Sequence, residues 1–148
     1  MKRRIRRLLQ LTWKDRSLLC EATVLLAFAR FAVLLLPFRI VMAYCGIHET
    51  VDSPKAATAD DESAVVRVAW SVSTVSRYTP WRSECLVRAI AATHMLRRRH
   101  LHTSLYLGLR KDKPGSLSAH AWLRCGNIIV TGGLGHKEFT VVATFAQS

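Results

Sequence analysis

From Leu18 to Ile47 the chain is rich in Leu, Ala, Val and Phe, and Glu21, Arg30 and Arg39 are its charged interruptions. Apolar residues at helical spacing, with the arginines toward one edge, predict an amphipathic helix. The longest apolar stretches, Ala22 to Ala29 and Phe31 to Phe38, are shorter than the roughly 20 residues that a bilayer span requires. Arg30, near the centre of such a span, would cost about 2.5–3.5 kcal/mol on insertion scales. The segment is therefore expected to pack on the core, on a partner, or at a lipid interface. Pro37 should end the first helix near Leu36 and leave a second short helical piece through Tyr44.

The pattern changes at Thr50. Residues Thr50 to Glu62 hold Asp52, Ser53, Pro54, Lys55 and the run Asp60-Asp61-Glu62, with few large apolar side chains, and read as a linker. Ser63 to Arg77 returns to near-helical spacing, and Tyr78-Thr79-Pro80-Trp81 predicts a turn. A helix is predicted from Cys85 to Arg99, capped by Ser83 or Glu84. Beyond it the period falls to two: strands are expected over Thr103–Arg110, Ser118–Cys125, Ile128–Gly132 and Phe139–Phe145. Lys111 to Gly115 reads as a turn, and Gly126-Asn127 as a two-residue hairpin loop. Helices followed by a run of strands predict an α+β fold. The expected organisation is a basic, apolar helical segment over 1–49, an acidic linker over 50–62 and a core over 63–148.

A chain of 148 residues supports one modest core. Cys20, Cys45, Cys85 and Cys125 are far apart, form no Cys-x-x-Cys pair and suggest neither zinc nor a disulfide framework, so a reducing cytoplasm is the expected setting. No cofactor is expected. His94, His100 and His102 lie beside a basic cluster and have no closed set of partner ligands, which argues against a metal. The basic start lacks the short apolar region and small-residue cleavage site of a secretory signal. The 22 Lys and Arg against 10 Asp and Glu give a formal charge of +12, concentrated at Lys2-Arg3-Arg4, Arg6-Arg7 and Arg97-Arg98-Arg99. Such a balance favours anionic partners without choosing among peptide, lipid and nucleic acid. The chain carries no groove-entering motif or stacking platform, so nucleic acid is not expected as the partner.

The candidate chemistry lies in Cys85 and His120. A cysteine in the first turn of a helix faces unpaired backbone N–H groups and the positive end of the dipole, which favour a thiolate and a developing oxyanion. A histidine on a following strand can take the thiol proton and return it to a leaving amine. Cys125, at a strand end with no helix behind it, reads as structural. Spacing alone leaves a bland alternative open, in which Cys85 is a small buried hydrophobe and His120 a satisfied structural group.

Four pieces in order go further: Cys85-Leu86-Val87-Arg88, Leu96-Arg97-Arg98-Arg99, Leu105-Tyr106-Leu107-Gly108 and Ala119-His120-Ala121-Trp122-Leu123. Together they resemble the transglutaminase-like leader peptidases of lasso-peptide biosynthesis. The resemblance is carried by Ser83 to Gly133, and the apolar helical lead-in fits it more loosely. It implies a papain/transglutaminase-like core in which a catalytic helix packs on a small antiparallel sheet, with Cys85 as nucleophile and His120 as base. It also implies a cytoplasmic enzyme that removes the leader from a precursor peptide. Its partners would be a separate leader-binding protein, for which the apolar N-terminal helix would offer a docking face, and a lasso cyclase, with peripheral contact to the inner face of the membrane left open. The alternatives are a transamidase acting on another peptide, and a membrane-associated or partner-binding homologue without activity.

The resemblance also implies an orienting Asp about a dozen residues after the histidine, where this chain has Thr131-Gly132-Gly133, and no Asp follows Asp112. Counting outward from Gly126-Asn127 pairs Cys125 with Ile128, Ala121 with Gly132 and His120 with Gly133. Thr131, a backbone carbonyl or Glu138 would then have to orient the imidazole, unless Cys85 and His120 act as a dyad.

Overall fold

The structure is a computed structural model and describes residues 12–49, 59–79 and 84–147. Thr12 opens helix α1 (Trp13–Leu35), and its side chain accepts a hydrogen bond from the Asp15 N–H. Leu36 is extended, as the residue before a proline should be, and Pro37 opens the short helix α2 (Phe38–Tyr44). Strand β1 (Ile47–Glu49) follows, then helix α3 (Ala59–Ser76), helix α4 (Cys85–Arg97), and strands β2 (Ser104–Lys113), β3 (Ser116–Cys125), β4 (Ile128–Thr131) and β5 (Thr140–Gln147). The five strands form one antiparallel sheet in the order β1-β5-β2-β3-β4. The α+β expectation is borne out.

Helix α4 is the buried axis of the molecule. Val87, Ala89, Ile90, Ala91, Ala92, Met95 and Leu96 are all buried, so it is covered on most sides. It packs on β3 and β4 through Ala121, Leu123, Cys125 and Val130, and on α1 and α3 through Leu18, Ala22, Leu26, Ala29, Val65, Val68, Val72 and Val75. Two ion-pair sites fix α1 along it. Glu21 meets Arg99 at 2.8 Å and Arg98 at 3.4 Å beyond the end of α4, while Arg30 lies 3.8 Å from Glu84 at its start. The two helices therefore run antiparallel.

Several boundaries differ from the sequence reading for physical reasons. Helix α3 begins at Ala59, inside the predicted linker, because Asp61 and Glu62 favour the positive end of a helix dipole. The rest of that linker, 50–58, and Pro80 and Trp81 of the predicted turn lie outside the described residues. Helix α4 stops two residues before the predicted end. His100 takes a left-handed φ of 59°, so the Leu101 N–H bonds back to the Leu96 carbonyl and buries Leu101. The predicted turn over Lys111–Gly115 is too wide, since β2 runs on to Lys113 and Pro114 and Gly115 alone reverse the chain, Gly115 with φ 84°. Despite Arg30, α1 is one continuous helix of 23 residues with mean hydropathy 2.1 in its most apolar window, long and apolar enough by composition to cross a bilayer. One of its faces is nevertheless buried in the core.

The β3–β4 register is also corrected. Cys125 pairs with Ile128 and Arg124 with Ile129 as counted, but Leu123 pairs with Thr131. Val130 is an extra residue on β4, a bulge that moves every later position by one.

Candidate active site

Cys85 is the first residue of α4, half-buried, with extended Glu84 as its N-cap. Glu84 makes no capping hydrogen bond with its carboxylate, which lies 3.8 Å from the Arg30 guanidinium. Helix geometry leaves the N–H groups of this first turn without intrahelical partners. They are available to an oxygen that develops charge beside the thiol.

His120 lies in the middle of β3, directly opposite Gly108 on β2. Its ring packs between aromatic neighbours, with centroids 5.1 Å from Phe139 and 6.0 Å from Trp122. Trp122 stacks in turn on Tyr106 at 5.7 Å, almost parallel. Gly108 makes room for this arrangement: a Cβ there would stand 2.8 Å from both Phe139 Cβ and Trp122 Cζ3. The glycine of the Leu-Tyr-Leu-Gly strand is thus a space requirement of the histidine's surroundings.

The imidazole is oriented by the backbone. His120 Nε2 is 2.8 Å from the Gly132 carbonyl oxygen. A carbonyl oxygen has no proton to give, so Nε2–H donates, and in the neutral ring Nδ1 keeps its lone pair. Gly132 has φ 73°, and a Cβ on it would come within 2.3 Å of the Ala121 carbonyl oxygen. Only glycine fits this left-handed, closely packed position. Of the orienting groups the sequence left open, the carbonyl holds the place. Glu138 is engaged by Arg110, whose guanidinium lies 4.8 Å over the Phe139 ring.

Cys85 and His120 line one cavity of about 240 Å³, together with Val72 and Ser73 of α3, Arg88 of α4, and the segment from Val130 to Leu134. The two sequence-predicted site residues are therefore brought together at the junction of α4, α3 and the β4 edge. Residues in this constellation that sequence reasoning did not find are Phe139, which packs on the imidazole, and Ser73 and Val72. The only available signal for Phe139 was an aromatic residue at the start of a predicted strand.

Cys45 and Cys125 are buried in the core, and loss of hydration pushes both thiols up, Cys45 to about 11. Both therefore stay protonated near neutrality, and Cys125 occupies the structural position expected for it. His94 stacks on Tyr44, and among the described residues no group of three His, Cys, Asp or Glu side chains converges as a metal would require.

The family model of the Transglutaminase-like superfamily matches residues 32–144, and the chain belongs to that superfamily. Its members include cysteine peptidases, and cysteine hydrolases and transferases are common among them. Neither the curated proteins nor the solved structures yield a significant match to this chain.

Proposed function

We propose that this transglutaminase-like domain is a cysteine endopeptidase that removes the leader from a ribosomally made lasso-peptide precursor before macrocyclisation. The observation that carries the reading is the pair Cys85 and His120 on one cavity, with His120 Nε2 held by the Gly132 carbonyl. The four ordered motifs that include this pair support the choice of substrate.

In the proposed reaction the Cys85 sulfur attacks the carbonyl at the leader–core junction while His120 Nδ1 takes the thiol proton. The first-turn N–H groups of α4, Cys85's own included, stabilise the oxyanion. Collapse of the tetrahedral adduct breaks the C–N bond, and His120 returns its proton to the departing core amine. Water, deprotonated by the same ring, then cleaves the thioester and frees the leader. The histidine must hold its tautomer throughout, and the Gly132 carbonyl can maintain it without a carboxylate.

A separate leader-binding protein would deliver the precursor, and a cyclase would consume the freed amine, all in the cytoplasm. The test is mass spectrometry of the precursor incubated with the protein and that partner. The expected result is one cut at the leader–core boundary, absent in Cys85→Ala and His120→Ala variants that still fold. An uncut precursor with folded wild-type protein contradicts the reading. Transfer of the leader to an added amine in place of water would make the enzyme a transamidase.

A further inference from the structure

Helix α1 is apolar on two opposite faces. Leu18, Ala22, Leu26 and Ala29 form the buried stripe. Trp13, Val24, Phe28, Phe31 and Leu35 lie on the far side at spacings of three, four, seven and eleven, with Phe31 65% and Leu35 76% exposed. Of the five charged side chains of the helix, Lys14, Asp15 and Arg16 lie in its first turn and Glu21 and Arg30 are committed to the ends of α4, so the outer stripe from Val24 to Leu35 has no charge along it. The patch continues onto α2 through Phe38 and Ile40. A cavity of about 140 Å³ with almost wholly apolar walls sits between α1 and α2 and is rimmed by Phe28, Leu36, Ile40 and Tyr44. A helix apolar all round is normally covered on all sides, and a continuous exposed patch of this kind marks an interaction surface.

We propose that this face docks the protein on an anionic lipid bilayer, with α1 lying in the plane of the interface. Charge selects the occupant. The chain carries +12 overall, and in sequence Lys2, Arg3, Arg4, Arg6 and Arg7 immediately precede α1, while exposed Arg39 stands within the α2 part of the patch. A second copy would bring the same positive charge against the same face, whereas anionic headgroups complement it. An apolar helix face flanked by basic residues is the pattern of an interfacial helix. Crossing the bilayer would instead require α1 to leave the core in which Leu26 and Ala22 are completely buried. The inference stands apart from the peptidase reading, because binding is measured without substrate.

The experiment is vesicle flotation of the purified full-length protein at low and high salt. It compares phosphatidylcholine vesicles with vesicles containing one-third phosphatidylglycerol. Wild type should float with the anionic vesicles at least tenfold more strongly than with the neutral ones, and high salt should weaken the binding. Phe31→Asp with Leu35→Asp should reduce partitioning at least tenfold with an unchanged melting temperature. Replacing Lys2, Arg3, Arg4, Arg6 and Arg7 by Gln, in a variant whose melting temperature matches wild type, should remove the preference for anionic lipid. Failure of folded wild type to float, or equal floating of the Asp variant, overturns the proposal. So does a sedimentation dimer that the same Asp substitutions dissolve, or a leader-binding partner whose capture by wild type is lost in that variant while flotation is unchanged.

Discussion

His120 Nε2 and the Gly132 carbonyl oxygen are 2.8 Å apart, and this contact places a main-chain acceptor where a carboxylate orients the histidine in related sites. A carbonyl fixes the tautomer as a carboxylate does but adds no negative charge to stabilise the imidazolium. Activity should therefore depend on the backbone path through Thr131-Gly132-Gly133 more than on any side chain there.

Gly132→Ala should damage both stability and turnover. The left-handed φ costs about 1–2 kcal/mol for a residue with a Cβ, and the 2.3 Å approach to the Ala121 oxygen forces the strand to move. Gly135→Ala is the control, because it shares a φ of 73° but its Cβ would meet nothing within 4 Å. Thermal melting and precursor cleavage on both variants should show a larger melting shift for Gly132→Ala and at least a tenfold activity loss confined to it.

Gly108→Ala should lower activity through the aromatic packing. Its Cβ would press on Phe139 and Trp122, the two rings that flank His120. The expected outcome is a fall in kcat of about tenfold, on the order of 1.4 kcal/mol of barrier, with KM little changed. Steady-state kinetics separates this from a binding defect.

Removing Arg30 should matter little to stability, since its 3.8 Å pairing with a largely exposed Glu84 is worth about 0.5 kcal/mol or less. Glu21→Ala should cost more, because Glu21 is mostly buried and its carboxylate takes both terminal nitrogens of Arg99, at 3.3 and 2.8 Å. A loss of about 1–3 kcal/mol is expected in denaturant titrations of the two variants.

Acid sensitivity should trace in part to His94. Burial, with the positive charges of Arg97 and Arg98 adding, holds its pKa below the ordinary 6.5. Above 6.5 the ring is neutral in folded and unfolded chains alike. Below it the unfolded chain takes the proton first, so stability is lost as pH falls from 6.5 toward the lowered folded value. His94→Gln should show a smaller fall in melting temperature between pH 7 and pH 5 than wild type.

The sequence exposed the parts whose signals are local. Pro37 marked the α1–α2 break, Gly126-Asn127 the β3–β4 turn, and the helix start at Cys85 and the strand around His120 followed from a change in period. Strand β1 was illegible, because its three residues pair only with Phe145 to Gln147 at the far end of the chain. The bulge at Val130 left no mark in the alternation and displaced the counted register by one. The orienting group of His120 was seen only as one of several options, since a carbonyl has no residue type of its own. Phe139 reaches His120 through folding of distant strands, which no spacing encodes.

The pairing of Cys85 with His120 is tested by the rate at which iodoacetamide modifies each cysteine at pH 7.5, read by peptide mapping. If Cys85 and His120 form a working nucleophile and base, Cys85 reacts at least tenfold faster than the exposed Cys20, and His120→Ala removes that advantage. Buried Cys45 and Cys125 stay unmodified until the protein unfolds. A Cys85 no faster than Cys20, or one indifferent to the loss of His120, would mean that the two residues are not a working nucleophile and base.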